Sequence, residues 1–248
     1  MTELLKHIYR NLRKKNKFFW SVNWIKTYYF NYKKFPFSIA KKLPVFFYGK
    51  VKFSSIKGEF IIDAPVKRAM IGFGQSFEFP TTYKRTSEIN INGKVVFKGN
   101  VQFGKDVSIL IDENAYFEMG HLSCIGSSGL VVCKNKIVLG DYVRVGYQVQ
   151  FIDTTIHQII DLTTNTKMPF IASIFLNDYN WVGNRTTIMK STQTPINCIV
   201  ASNSLLNKDY SKFGKNILIG GIPAKLLKEN ISRDWKGEQE RLEKNMIV

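Results

Sequence analysis

The sequence of 248 residues predicts an all-β solenoid, a parallel β-helix with α-helices at both ends. The first observation is a beat of six residues, in which ten of eleven positions are apolar. A second row lies two residues after the first, and nine of its eleven positions are apolar. Seven glycines near the ends of these pairs are the third observation. The first row is Ile89, Val95, Val101, Val107, Glu113, Met119, Ile125, Val131, Ile137, Val143 and Val149.

These observations match the parts of a β-helix turn. Side chains at i and i+2 share one face of a strand, so each pair predicts a short strand with its apolar side inward. Glycine suits the corners, where unusual backbone angles are needed. A period of six is too short for a helical repeat, and three strands per turn imply about eighteen residues and a rise of about 4.8 Å. The alternative is an ordinary β-sandwich with chance spacing.

The beat stops at FIDTTIHQII, residues 151–160, and returns in a phase shifted by three. We therefore predict that the segment of about 154–173 is a loop expelled from the coil. The predicted organisation is a basic, aromatic, helical segment at 1–50, a β-helix at 51–210 and a C-terminal turn and helix at 211–248. The later beat is Leu176, Val182, Ile188, Thr194, Val200 and Leu206.

Helical spacing marks both ends of the chain. Apolar residues at Leu5, Ile8, Tyr9 and Leu12 predict a helix over 2–17. Leu227, Ile231 and Trp235 are spaced by four and are followed by Leu242 and Met246, which predicts a second helix. Both helices are expected to cover the solenoid ends. The N-terminal one has an alternative role, contact with a membrane surface.

The charge distribution predicts an anionic partner. The formal net charge is +17, and residues 1–50 hold twelve Lys or Arg against one acid, Glu3. Nucleotide phosphates, acidic polymers, anionic lipid and nucleic acid all fit such a surface, as does the alternative of a solvated face without a partner. No apolar run is long enough for a membrane span, and no signal peptide is recognised. Three cysteines without CxxC spacing fit a cytoplasmic protein without a zinc cluster.

Two stretches then carry a resemblance. WVGNRTTIMKSTQTPINCIVASNSLLNKDY at 181–210 and ILIGGIPAKLLKE at 217–229 resemble the C-terminal half of hexapeptide-repeat acyltransferases, such as galactoside, maltose and polysaccharide O-acetyltransferases. The resemblance covers about residues 89–229. The chain departs from the family pattern at Ser191, Pro195, Ala201, Asn203 and Asn207. The family implies a left-handed parallel β-helix, a homotrimer, and an acyl-CoA groove between subunits.

The resemblance also implies site residues. The expelled loop of the family carries a catalytic histidine, which corresponds to His157, and the spacing to Trp181 resembles that of polysaccharide O-acetyltransferases. Histidine suits a general base near neutral pH. His7 lies on the predicted N-terminal helix, and His121 is expected in the core. Trp181 is a candidate wall for the acceptor or pantetheine, and Asp153 a candidate to orient the imidazole. A backbone N–H near Gly183–Asn184 is the candidate oxyanion donor. The candidate cofactor-binding residues are Asn184, Ser202, Asn207, Lys208, Lys225 and Lys228.

These expectations combine into one functional prediction. The chain is predicted to be a cytoplasmic O-acetyltransferase that moves an acetyl group from acetyl-CoA to a saccharide hydroxyl in surface polysaccharide synthesis, without a catalytic metal. The acceptor is a saccharide, either polymeric or lipid-linked, and nucleic acid is not expected as a partner. Alternatives are N-acylation of a nucleotide-linked amino sugar and a non-catalytic β-helix scaffold. A zinc carbonic-anhydrase reading of the fold needs several histidines at fixed offsets, and the chain has three.

Overall fold

Three parallel sheets form the body of the protein, and the chain visits them in turn. The structure, a computed structural model, describes residues 19–75 and 85–245. Most strands pair in parallel with a strand one turn earlier and a strand one turn later, so that the chain winds as a three-sided coil. The predicted helix over 2–17, with His7, lies outside the described residues, as does Met246.

The strands are short and are divided among the three sheets. The first sheet contains β1 (Val45–Phe47), β4 (Ile71–Gln75), β7 (Val101–Gly104), β10 (Ser123–Ile125), β13 (Arg144–Val145), β18 (Trp181–Val182), β21 (Cys198–Val200), β23 (Ile217–Gly221) and β24 (Ala224–Glu229). The second contains β2 (Val51–Ile56), β5 (Ser87–Ile91), β8 (Ser108–Ile111), β11 (Leu130–Cys133), β14 (Gln150–Ile152), β19 (Thr187–Met189) and β22 (Leu205–Leu206). The third contains β3 (Glu59–Ile62), β6 (Lys94–Phe97), β9 (Tyr116–Met119), β12 (Lys136–Leu139), β17 (Ile174–Leu176) and β20 (Gln193–Thr194).

The predicted turn of eighteen residues is correct only late in the coil. Trp181 pairs with Ile199, eighteen positions on, whereas Val131 pairs with Phe151, twenty positions on. The earlier turns carry extra residues at their corners, for example around the exposed Glu113. The two inward rows lie two residues apart. After an insertion of two residues, a position of one row therefore stacks on a position of the other row, and both are apolar. This is why the spacing looked regular although the turn length is not.

The two inward rows fill the centre of the coil. All apolar residues of the first row are buried, and so are Phe97, Phe103 and Phe151 of the second. On the first sheet Phe73 stacks on Phe103 with ring centroids 4.3 Å apart. Stacked rings of this kind bury large apolar areas in consecutive turns. His121, expected in the core, is instead only partly buried at a corner, where its Nδ1 accepts the backbone N–H of Asn100 at 3.3 Å.

The coil starts before and ends after the predicted boundaries. Its first strand begins at Val45, and β23 continues the first sheet beyond residue 210. Among the described residues, α1 (Trp24–Lys34) and α2 (Phe37–Ala40) lie before the coil, and α3 (Trp235–Asn245) follows it. The helical interpretation of Leu227 is wrong, because β24 folds back antiparallel on β23. None of the helices in the described ranges is both long and apolar enough to span a membrane.

A hairpin leaves the coil where the sequence beat breaks. Thr154 and Ile171 form an antiparallel bridge at its base, and β15 (Ile160–Asp161) pairs with β16 (Thr166–Lys167) toward its tip. At the foot, Ala172 N–H donates to the carbonyl of Asp153 at 3.1 Å. The chain thus re-enters the coil beside the point where it left, and the third sheet resumes with β17.

Candidate functional site

His157 lies on the outgoing arm of the hairpin and is exposed. A tight turn holds its backbone: its N–H donates to the carbonyl of Thr155 at 2.6 Å, and its carbonyl accepts the Thr155 hydroxyl at 2.8 Å. Ile156, the preceding residue, has a φ of 60°. Within the described ranges no hydrogen bond to the His157 imidazole is observed. The fixed backbone and free ring suit a side chain that must meet a substrate.

Asp153 belongs to the coil wall rather than to the hairpin. It is fully buried, and its carboxylate accepts the backbone N–H groups of Lys134 at 2.8 Å, Asn135 at 2.7 Å and Lys136 at 3.0 Å. Three donors to one carboxylate use most of its accepting capacity. The Asp153 carboxylate therefore binds backbone amides and does not orient the His157 imidazole as expected. Asp153 instead fixes the corner from which the hairpin departs.

A cleft of about 450 Å³ lies at the same edge of the coil, one turn beyond the hairpin. Its lining residues are Met189, Lys190, Ser191, Leu205 and Asn207. Lys190 Nζ donates to the carbonyl of Pro169 at 2.9 Å, and the Ser191 N–H donates to Ser173 at 3.1 Å, so the cleft wall is tied to both the hairpin and its foot. Of the predicted cofactor residues, Asn207 lines this cleft and the exposed Lys208 follows it. Lys190 carries no distinctive signal in the sequence, because it is a single lysine inside a repeat.

Asn184 and Ser202 meet at another edge, between the first and second sheets. The Asn184 N–H donates to Ser202 Oγ at 3.1 Å, and Asn184 Oδ1 accepts the Tyr147 N–H at 3.1 Å. The Gly183 N–H donates to Val200 at 2.8 Å. Both of these backbone N–H groups donate within the coil, so neither is free for an oxyanion, and the oxyanion donor stays a prediction. The corner must be tight here: a Cβ on Gly146 would lie 2.2 Å from Asn184 Oδ1.

Trp181 lies on the outer face of the first sheet, with 43% of its surface exposed. The Arg233 guanidinium lies 5.3 Å from the centre of its ring and 4.3 Å from that of Trp235. Arg233 also forms an ion pair with Glu238 of α3. Cation–π contacts of this kind orient an aromatic ring as well as stabilise it. The C-terminal segment therefore holds Trp181 in position, a role of Arg233 that no sequence motif marks.

Lys225 and Lys228 share one face, although the segment is a strand. In a regular strand residues three apart point to opposite sides. Here Lys225 pairs with Gly220 and Lys228 pairs with Leu218, because a bulge at Leu227 takes up one residue. Directly opposed residues lie on the same face, and Gly220 and Leu218 are two apart. The bulge therefore aligns the two lysines on one face of the strand.

The cysteines are unsuited to act as nucleophiles. All three are buried, and burial raises the pKa of Cys198 to about 12. Burial and the nearby Asp153 carboxylate both raise the pKa of Cys133. A thiol reacts as its thiolate, which is scarce at neutral pH under these conditions. No group of three His, Cys, Asp or Glu that could hold a metal ion occurs in the part of the chain that the structure describes.

Within one chain six of the candidate residues form two groups. His157, Asn207 and Lys208 lie along the edge between the second and third sheets. Trp181, Asn184 and Ser202 lie on the first sheet and at its edge with the second. A whole side of the coil separates the two groups, and no contact between His157 and Trp181 is observed in the described ranges.

Comparison with solved structures identifies the fold. The polySia-specific acetyltransferase NeuO matches with a TM-score of 0.50 at 18% identity, over 79% of this chain and 89% of that chain. The chain has the fold of a hexapeptide-repeat acetyltransferase. The resemblance read from the sequence motifs is thus confirmed at the level of the fold, with its mainly parallel sheets and few helices.

Two further structures resemble the chain at lower TM-scores. The polysialic acid O-acetyltransferase OatWY matches with a TM-score of 0.42 at 20% identity, over 75% of this chain and 87% of that chain. A hexapeptide-repeat acetyltransferase from Vibrio cholerae O1 biovar eltor, solved with acetyl coenzyme A, matches with a TM-score of 0.39 at 23% identity, over 46% of this chain and 60% of that chain. No protein-family model matches the sequence, and no curated protein sequence does.

Proposed function

We propose that the chain is an acyltransferase that moves an acetyl group from acetyl-CoA to a hydroxyl of a saccharide in surface polysaccharide synthesis. The observation that carries the proposal is the position of His157, on a hairpin that leaves a hexapeptide-repeat acetyltransferase fold beside an open cleft. The coil is proposed to be a left-handed parallel β-helix, and the reaction to take place in the cytoplasm.

The proposed chemistry is a direct transfer in a ternary complex. The His157 imidazole accepts the proton of the acceptor hydroxyl as its oxygen attacks the thioester carbonyl carbon. The tetrahedral oxyanion then collapses, the carbon–sulfur bond breaks, and the CoA thiolate leaves with a proton returned by His157. The buried cysteines give no support to a covalent acyl-cysteine step, since the raised pKa of Cys198 keeps its thiol neutral.

The proposed assembly is a homotrimer with a site at each subunit boundary. One chain carries the His157 group and the Trp181 group on different edges of its coil, so neither group is complete alone. A cyclic arrangement brings the His157 edge of one copy against the Trp181 edge of the next and repeats this contact around the ring. Acetyl-CoA would lie in the resulting groove, with Lys208, Lys225 and Lys228 as cations for its phosphates.

The acceptor is proposed to be a saccharide, whose hydroxyl can give its proton to a histidine base. An acidic saccharide would also suit the net charge of +17. N-acylation of an amino sugar would need the same base, and a scaffold would need none. The base therefore favours transfer to a saccharide over a scaffold, and the charge favours an acidic saccharide.

The test is an acetyl-transfer assay with the full chain. Released CoA thiol is measured with acetyl-CoA and a panel of neutral, acidic and amino saccharides. An ester product is cleaved by mild base and an amide is not, so the product separates the O-transferase from the N-transferase. Acceptor-dependent release of CoA with a base-labile product supports the proposal. If no saccharide of the panel causes release of CoA, the proposed activity is rejected, whether or not the chain binds acetyl-CoA.

A further inference from the structure

Helix α1 closes the N-terminal end of the coil. Its buried residues Thr27, Phe30 and Asn31 lie on one side of the helix. The Phe30 ring contacts three phenylalanines, one from the first strand of each sheet: Phe47 at 5.1 Å, Phe53 at 6.0 Å and Phe60 at 4.8 Å between centroids. Asn31 and Thr27 bind the backbone of β1. The opposite side of α1 therefore faces away from the coil end.

That opposite side is apolar instead of charged. At 100° per residue, Ile25, Tyr29 and Tyr32 lie opposite the buried residues. The exposed fraction of Ile25 on α1 is 83%. Trp20, which precedes α1, and Phe37, which begins α2, are 77% and 70% exposed. We call the following exposed residues the aromatic face: Phe19, Trp20, Ile25, Tyr28, Tyr29, Tyr32 and Phe37.

The rings of Phe19, Trp20, Tyr28, Tyr32 and Phe37 form a strip that passes through the partly buried Trp24. Successive centroid distances are 5.6 Å from Trp20 to Phe19, 5.3 Å from Phe19 to Trp24 and 6.0 Å from Trp24 to Tyr28. The strip continues with 6.4 Å from Tyr28 to Tyr32 and 6.2 Å from Tyr32 to Phe37. Contiguous exposed apolar surfaces of this kind mark interaction sites.

The surrounding charge is of one sign. Residues 19–50 contain six lysines and no acid, namely Lys26, Lys33, Lys34, Lys41, Lys42 and Lys50. Lys34 is engaged with the carbonyls of Ile56 and Gly58 at 2.9 and 2.6 Å, while Lys33, Lys41 and Lys42 are exposed. A partner must therefore accept hydrophobic and aromatic side chains and offer negative charge.

We propose that the aromatic face docks on an anionic lipid surface. Tyr and Trp favour the interface between lipid and water, Ile25 and Phe37 gain from the hydrocarbon region, and lysines gain from acidic headgroups. A second copy of this face is a poor partner, since residues 19–50 of each copy carry six lysines and no acid. An acidic polysaccharide could bind the lysines, but it provides no hydrocarbon environment in which Ile25 and Phe37 could be buried. In the proposed trimer, cyclic symmetry turns all three N-terminal ends to the same side, so three faces can reach one membrane together.

Vesicle flotation with the full chain tests the proposal. The probes are phosphatidylcholine vesicles with and without about one third phosphatidylglycerol, and binding is expected only to the acidic ones and to weaken with salt. Ile25→Gln with Tyr32→Gln, and separately Lys33→Gln with Lys41→Gln, should each lower the partition constant by about fivefold or more. The matched controls at the far end of the chain are Ile222→Gln with Leu227→Gln, and Lys212→Gln with Lys215→Gln, which should bind as the wild type does. Circular dichroism checks that each variant is folded.

Three outcomes would overturn the proposal. The first is a wild-type chain that ignores acidic vesicles, including the case in which it binds an acidic polysaccharide instead. The second is an equal loss of binding in the controls, which would indicate unspecific attraction by total charge. The third is a changed mass of the Ile25→Gln/Tyr32→Gln protein in light scattering, which would make the aromatic face a subunit contact. The readout needs no acetyl transfer, so it is independent of the proposed activity.

Discussion

The carboxylate of Asp153 binds the backbone N–H of Asn135 one turn away, with an Oδ2–N distance of 2.7 Å. Two more N–H groups, of Lys134 and Lys136, share this carboxylate. The corner where the hairpin leaves is therefore fixed by a buried charge–amide network, and the hairpin can project outward from a rigid base.

Asp153→Ala should lower the free energy of unfolding by about 3 kcal/mol, because three partly buried N–H donors lose their acceptor. Denaturant unfolding followed by circular dichroism measures this loss. Glu113→Ala, an exposed acid at another corner, is the control and should change stability little. An Asp153→Ala protein with wild-type stability and abolished activity would favour the orienting role instead.

His157→Ala should lower kcat/KM for acetyl transfer by about 10²- to 10⁴-fold while the protein stays folded, because the general base is lost from an exposed position. Steady-state kinetics measure the effect. His121→Asn is the matched histidine control; it retains an acceptor near Asn100 and should keep its activity. Near wild-type turnover of His157→Ala would reject the assignment.

A mixture of inactive variants should regain activity if the site spans two subunits. His157→Ala and Trp181→Ala each damage one of the two residue groups, and a mixed trimer contains boundaries where both groups are intact. Refolding the two variants together and assaying the product tests this. Light scattering should report three chains. A stable monomer with full activity, or a mixture no more active than its components, would contradict the shared site.

Lys225→Ala with Lys228→Ala should raise the KM for acetyl-CoA and leave kcat nearly unchanged. The bulge of β24 aligns both ammonium groups, and phosphates remote from the thioester are bound alike in the ground and transition states. The effect should shrink in high salt. Lys212→Ala with Lys215→Ala is the control for total charge. An unchanged KM in the first variant would assign the phosphates to another surface.

Thiol reagents should leave acetyl transfer intact. Burial raises the pKa of Cys198 to about 12, so its thiol stays protonated at every pH below that value and the thiolate is scarce at pH 8. Incubation of the folded chain with iodoacetamide at pH 8, followed by mass spectrometry and assay, should show unmodified Cys198 and full activity. Loss of activity in proportion to alkylation of Cys198 would instead support a covalent acyl-cysteine intermediate.

The sequence alone determined the parts of the molecule that repeat. Each strand buries an apolar pair, and this is a local rule. The spacing of apolar residues therefore predicted the inward rows, the interruption after residue 151 and the exposed position of His157. The resemblance at 181–229 added the fold that NeuO shares. The predicted turn of eighteen residues does not apply to the earlier turns, because an insertion of two residues at a corner leaves the same apolar spacing.

Only the tertiary structure decided what each polar residue near the hairpin does. Asp153 is four residues from His157 in sequence, yet its partners are amides about twenty residues away, on the preceding turn. The bulge beneath Lys228 and the contact of Arg233 with Trp181 likewise depend on which strand or segment lies alongside. Spacing specifies a face of one strand, whereas hydrogen bonds and ring contacts depend on neighbours that only the folded coil brings together.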